Sequence, residues 1–280
     1  MRRQSKRIVP NSKEVAINFN RRTPPNPVSE HNDTSRVEWT EVPSSTVDAP
    51  EYYTGLPALR IPENSTPRYQ VSWPIRNGLF NERDYTNKWQ LLRDISIIIE
   101  EAIKTQLGLA RKRDWCHYGC VLVVPDLHER NYVTTLLELL FRDFGFNRIC
   151  LIQESLAASF GAGYSTCVVV DVGAQKTSVC CIDDGLCVEN SRINLMYGGL
   201  DVTKAFIKMM LFDLFPYADI NLNRRYDFLL AEELKQRFCN LSVMDIAVQQ
   251  YEFYLRTHGK TTQHYVFKAY DEVMLAPMVN

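Results

Sequence analysis

Asp171 and Gly173 stand in VVVDVGAQKTS at 168–178, an apolar run of β type that ends on a carboxylate and turns through a glycine. A carboxylate at the end of a buried strand can hold the water shell of Mg2+, and a tight turn can aim successive backbone N–H groups at a phosphate. Aspartate and glycine are also ordinary turn residues, so the pattern fits a plain turn as well as an anion nest. Eight cysteines, at 116, 120, 150, 167, 180, 181, 187 and 239, lack the paired spacing of a zinc ribbon, and reduced thiols are the default reading. Cys116, His117 and Cys120 offer three metal ligands with no fourth at ligand-like spacing. Cys180 and Cys181 are neighbours in a strand-like run and point to opposite faces, so core packing accounts for at least one of them. A third chemistry belongs to the start of the chain. Residues 1–36 carry eight Lys/Arg against three Asp/Glu, a net of +5, and Arg2, Arg3, Lys6 and Arg7 lead that run. Such a segment can contact nucleic-acid phosphates, or simply cross the surface as a solvated arm.

The elements that must position these groups can be read from periodicity. Ten of the 13 prolines and only one of the 12 glycines precede residue 75, which describes an extended arm, with the fold beginning near Tyr69. Trp89, Leu92, Ile95, Ile99 and Ile103 make one helical stripe within 84–107. CVLVVP, ending at Pro125, reads as a buried strand, and Tyr132, Val133, Leu136, Leu137, Leu140 and Phe141 as the stripe of a helix over 128–144. A short strand at 148–152 and a small-residue helix at 154–161 follow, a strand–helix–strand–helix order that implies a parallel unit. Three β-rich runs come next, at 167–171, 176–182 and 186–193, with Asp183-Asp184-Gly185 a hairpin turn between the last two. Helices are expected over 201–214 and 225–238, and strands beyond Tyr251.

Composition narrows the class. With 45% hydrophobic and 23% charged residues the chain is globular, and a formal net charge of -1 excludes a surface that is basic throughout. No apolar run approaches the roughly 20 residues of a membrane helix, and MRRQSKR is not followed by the apolar core of a secretory signal.

Three segments in order, ESLAASFGAG (154–163), VVVDVGAQKTS (168–178) and YGGLDVT (197–203), resemble the actin, sugar-kinase and heat-shock-chaperone superfamily. VSWPIRNGLF (71–80) and the stretch 121–146 resemble actin's entry into its first large subdomain, while PNSKEVAINFNRRT (10–23) and YDEVMLAP (270–277) resemble the nuclear actin-related proteins more narrowly. The resemblance implies an α/β, actin-like (ribonuclease-H-like) two-lobed fold. Its expected division is an extended Pro-rich arm over 1–68, part of the first lobe over 69–163 and the start of a truncated second lobe over 164–280.

The resemblance also assigns roles. Asp171 matches the aspartate that organises metal-bound waters, Gly173 the glycine of the second phosphate loop, and Thr177 joins them in the same loop. Glu154 falls where actin has a glutamine and the chaperone ATPases a glutamate, a position that orients the attacking water or the metal shell. A glutamate at a helix start is equally well explained by the helix dipole. Lys235 matches a lysine that approaches the adenine–ribose region, with Gln236 replacing its acidic neighbour. Ala174 and Gln175 replace a second aspartate and a glycine, which removes a carboxylate and reduces the loop's freedom to take positive φ. The glycine-rich first phosphate loop has no counterpart in residues 1–70, and the paired-glycine adenosine motif is not reached, so a fragment or truncated product is expected. ATP with Mg2+ is then expected to bind weakly or not at all. The implied function is a noncatalytic scaffold subunit of an Ino-eighty-type chromatin-remodelling complex in the nucleus. Its partners would be nuclear actin, actin-related protein four, a helical segment of the remodelling ATPase, linker DNA and histones, with no membrane. Arg2, Arg3, Lys6 and Arg7 are the expected DNA contacts, and Lys104, Arg111, Lys112 and Arg113 the next candidates. The alternative is an ATPase or small-molecule kinase of the same fold that uses Asp171 and Glu154.

Overall fold

The computed structural model describes residues 11–29, 37–45, 47–241 and 247–279. Arg2, Arg3, Lys6 and Arg7 lie outside the described residues. The chain divides into two compact units. One takes the described residues up to Ala49, then Leu59–Arg68 and the chain from Leu200, and the other takes Pro50–Ala58 and Tyr69–Gly199. This division falls at 199/200, whereas the sequence places a lobe boundary at 163/164. The physical reason is the packing of the strands after 164 onto the preceding helix, described below.

The second unit carries the β–α–β arrangement read from the sequence. Helix α3 (Lys88–Gln106), which follows the single turn α2 (Gly55–Leu59), starts at Asn87, whose side chain caps the Trp89 N–H at 2.9 Å. Its buried face is Leu91 and Ile95, and Trp89 is 80% exposed, so the expected stripe is corrected at its first member. Strand β4 (Gly119–Val124) pairs in parallel with β5 (Arg148–Gln153), and α4 (Arg130–Glu138) with the π turn 139–143 forms the crossover. Leu91, Ile95, Trp115, Tyr132, Leu136, Leu139 and Phe144 form the core on one side of this pair. Helix α5 (Glu154–Ala162) packs against both strands and also against β6 (Cys167–Val172), β7 (Thr177–Asp183) and β8 (Leu186–Cys187). That shared helix is what keeps 164–199 with the elements before it. The third β-rich run is broken, because a 3-10 turn at 189–191 separates β8 from β9 (Ile193–Leu195), which pairs with β7. The β7–β8 hairpin turns on Asp184 (φ 47°) and Gly185 (φ 75°), two successive left-handed residues as a type I′ turn requires.

The two strands expected to be buried are mostly half-buried on one face and exposed on the other. Val121 and Val123 on β4 are 65% and 52% exposed, and Val168, Val170 and Val172 on β6 are 60% or more exposed. Alternate residues point to opposite faces, and α5 packs against both β4 and β6.

The first unit contains α1 (Ser12–Arg22), β1 (Asn26–Val28), α6 (Gly199–Phe212), α7 (Arg225–Phe238), β10 (Gln249–Leu255), β11 (Thr262–Ala269) and α8 (Glu272–Leu275). Its sheet has the order β1-β11-β10, all antiparallel. Phe206, Met210, Phe215, Leu234, Phe253 and Phe267 fill its core, with Phe215 stacked on Phe253 at 5.1 Å. Residues 12–28 are thus folded where the sequence suggests an extended arm. The buried face of α1 is Ser12, Ala16 and Asn20, spaced by four but small or polar, so no apolar stripe announces it. Asn20 replaces apolar packing with hydrogen bonds to the chain at Lys268: its Nδ2 donates to the carbonyl at 3.0 Å and its Oδ1 accepts from the N–H at 2.8 Å.

Candidate functional site

The turn between β6 and β7, Gly173–Lys176, is closed by the Gly173 N–H donating to the Lys176 carbonyl at 2.9 Å. Gly173 does not take positive φ, and neither Ala174 nor Gln175 is left-handed, so the expected penalty of losing a loop glycine does not arise. What Gly173 supplies is closeness, because a Cβ there would stand 3.1 Å from the Lys176 carbonyl oxygen. Two neighbours hold the turn. The Gly199 N–H donates to the Gly173 carbonyl at 3.0 Å, and a Cβ on Gly198 would lie 2.6 Å from that same oxygen, which explains Gly198 in YGGLDVT. On the other side the hairpin of β2 (Ile75–Arg76) and β3 (Leu79–Phe80) turns through Asn77 (φ 53°) and Gly78 (φ 78°), and the Asn77 N–H donates to Gln175 Oε1 at 2.5 Å. Among the described residues none accepts from the N–H groups of Ala174 and Gln175. The tip therefore offers two free donors, the chemistry an anion needs.

Glu154 opens α5, as a dipole-stabilised acid would, and its carboxylate reaches the turn. Its Oε1 accepts from Lys176 Nζ at 2.5 Å, from Ser178 Oγ at 2.9 Å and from the Asp126 N–H at 3.4 Å. The pair is largely enclosed, with 20% of the Glu154 side chain and 13% of the Lys176 side chain exposed. Asp171 is exposed and sits directly across from Ser178 in the β6–β7 ladder, so both side chains leave the same face. Asp171, Glu154 and Gly173 thus belong to one site. The Thr177 hydroxyl does not face it, since it donates to the Tyr197 carbonyl at 2.9 Å and ties the loop to the glycine pair. Lys235 lies in the other unit, on α7, with its ammonium 2.8–2.9 Å from both oxygens of Glu232, which also accepts from Thr203.

Lys176, Ser178 and Asn77-Gly78 are the site residues that sequence reasoning missed, and Gln175 enters it only as a lost glycine. Only Asn77-Gly78 carries a signal, as a two-residue hairpin turn. Cys116, His117 and Cys120 do not converge. Cys116 donates instead to the Arg113 carbonyl, and among the described residues the three-ligand group is Asp126, Cys180 and Cys187. Burial first, then Cys180 and Asp126, push the Cys187 thiol up to about 11, against the pull of Arg192.

The Gly173–Lys176 turn, the carboxylate of Asp171 near the end of β6 and the glutamate at the head of α5 lie together on an actin-like fold. The actin family model matches residues 21–253, and the chain belongs to that family. Within it the chain is similar to actin-related protein 8. It is 40% identical over 278 residues to the probable actin-related protein 8 of Schizosaccharomyces pombe, a match covering 99% of this chain and 42% of that protein. To the actin-related protein 8 of Homo sapiens it is 36% identical over 274 residues, covering 97% and 42%. A solved structure of human actin-related protein Arp8 in its ATP-bound state matches with a TM-score of 0.88 at 34% identity, over 97% of this chain and 52% of that one. The chain spans about two-fifths of the length of these two curated relatives.

The site's residues fit the phosphate end of a nucleotide. The free N–H groups of Ala174 and Gln175 would face phosphate oxygens, and Asp171 would meet the water shell of Mg2+. When bound, ATP would bring the transferable phosphoryl group.

Proposed function

We propose that this chain is part of a noncatalytic, nucleotide-holding actin-fold subunit of an Ino-eighty-type chromatin-remodelling complex, working in the nucleus as a scaffold. The observation that carries the reading is the Glu154–Lys176 ion pair at 2.5 Å. A water-orienting group must hold its acceptor free near the reacting water, and phosphoryl transfer depends almost entirely on positioning and charge stabilisation. A carboxylate oxygen already shared by an ammonium, a hydroxyl and a backbone N–H supports holding a nucleotide over turning it over. The ATP in the solved human relative supports occupancy of the site. Nuclear actin, actin-related protein four, a helical segment of the remodelling ATPase, linker DNA and histones are the partners this reading assigns.

The test is reconstitution. Tagged chain mixed with the helical segment, actin and actin-related protein four should elute as one assembly in Mg2+–ATP, and Asp171→Ala should weaken that assembly without abolishing it. Elution of the chain alone under every nucleotide condition would reject the scaffold role.

A further inference from the structure

We propose that Asp126, Cys180 and Cys187 form a binding site for one thiophilic divalent cation of the zinc class. Their ligand atoms, a carboxylate oxygen and two sulfurs, lie within 4.8 Å of one another. Two local devices bring them together. Ser155 donates to Asp126 twice, its N–H to Oδ1 at 3.1 Å and its hydroxyl to Oδ2, which fixes the carboxylate at the head of α5. The β7–β8 hairpin places Cys187 opposite Ile182, and Cys180, two residues before Ile182, leaves the same face of the sheet. Helix α5 packs on both strands, so the carboxylate and the sulfurs meet in one enclosed space. Asp126 is 2% exposed and Cys180 fully buried, while Cys187 retains some exposure and supplies the entry path.

Charge and ligand type select the ion. The Arg192 guanidinium donates to the Asp126 carbonyl at 3.3 Å and contributes one positive charge beside the trio. Arg192 is itself paired with Glu189 at 3.5 Å, so one carboxylate and two metal-bound thiolates leave an excess of negative charge that a divalent cation offsets. Two sulfur ligands favour zinc-like ions over Mg2+ or Ca2+, which take oxygen. A tetrahedral ion with metal–sulfur bonds of about 2.3 Å needs the sulfurs about 3.8 Å apart, so the ligand atoms need close by no more than about 1 Å on binding. Water would complete the fourth position from the Cys187 side.

The experiment titrates the reduced 280-residue chain with Co2+, a coloured probe, and then with Zn2+. The expected result is about one equivalent bound, with sulfur-to-metal charge-transfer absorption and tetrahedral ligand-field bands that Zn2+ bleaches. Cys187→Ser should cut the charge-transfer absorption per bound Co2+ to about half or less and weaken Zn2+ binding by more than about tenfold, with Asp126→Asn weakening it less. Cys150→Ser should change nothing. Because Cys180 is deep in the core, Cys187→Ser is the deciding variant, and its circular dichroism in chelator should match that of the unsubstituted chain. Absence of charge-transfer absorption in the folded chain would overturn the proposal. So would charge-transfer absorption that Cys187→Ser leaves undiminished, since the ion would then sit on other thiols.

Discussion

Lys176 and Glu154 form the ion pair on which the proposed function rests, yet only Glu154 is marked out by its sequence context. Asp171 and Gly173 are legible because their residue types carry the chemistry at the end of an apolar run. Lys176 and Gln175 are long polar side chains whose partners lie 22 and 98 residues away, and no spacing rule links such positions. Thr177 stands out by its place in the loop, but a strand residue's facing depends on register, and here its hydroxyl is taken by Tyr197. Lys176→Met leaves a largely enclosed carboxylate without its counter-ion, and should lower stability by about 1–3 kcal/mol in chemical denaturation. Glu154→Gln keeps an oxygen for Ser178 and the Asp126 N–H, so it should cost less than Glu154→Ala in the same assay. Equal losses in the two Glu154 variants would mean that the carboxylate's hydrogen bonds contribute nothing.

At the scale of elements, the long periodic stretches are readable and the small or exposed ones are not. α6, α7, β5 and the parallel β4–β5 pair follow from runs whose apolar spacing reports burial directly. α1 escapes because Ser12, Ala16 and Asn20 pack without large apolar groups, and its hold on the fold is polar. Asn20→Ala removes hydrogen bonds to both sides of Lys268 and should destabilise the chain by about 1–3 kcal/mol in urea unfolding. A companion device is Glu272 on α8, buried near Asp213, which is itself paired with Lys13 of α1 at 3.2 Å. Burial first, then the hydrogen bond and charge of Asp213, push the Glu272 carboxyl up to about 7, against the Tyr270 N–H that pulls it down. The folded chain then holds that proton more tightly than the unfolded chain. Its contribution is full below pH 4.5 and disappears as pH rises to about 7. Glu272→Gln should flatten the dependence of thermal stability on pH across that window, and an unchanged slope would remove Glu272 from the explanation. The outer face of β6 behaves differently. Val170 is 60% exposed, so Val170→Lys should leave stability within about 0.5 kcal/mol and reduce self-association in light scattering.

For the whole molecule, the near balance of 32 Lys/Arg and 33 Asp/Glu makes any DNA contact a local matter. Replacing Arg2, Arg3, Lys6 and Arg7 with glutamine should weaken duplex binding at low salt and flatten its salt dependence by roughly one unit of slope for each cation–phosphate pair removed. Unchanged binding would move the search to Lys104, Arg111, Lys112 and Arg113, of which Lys104 and Lys112 already pair with Glu100. The central claim is that the Gly173–Lys176 turn holds a nucleotide while the Glu154–Lys176 pair prevents its turnover. The most direct measurement follows bound [γ-32P]ATP and released phosphate together, on the 280-residue chain in Mg2+ and on its Asp171→Ala variant. The account predicts weak binding that Asp171→Ala reduces, with phosphate release at the uncatalysed background in both. Mg2+-dependent release that Asp171→Ala abolishes would contradict it.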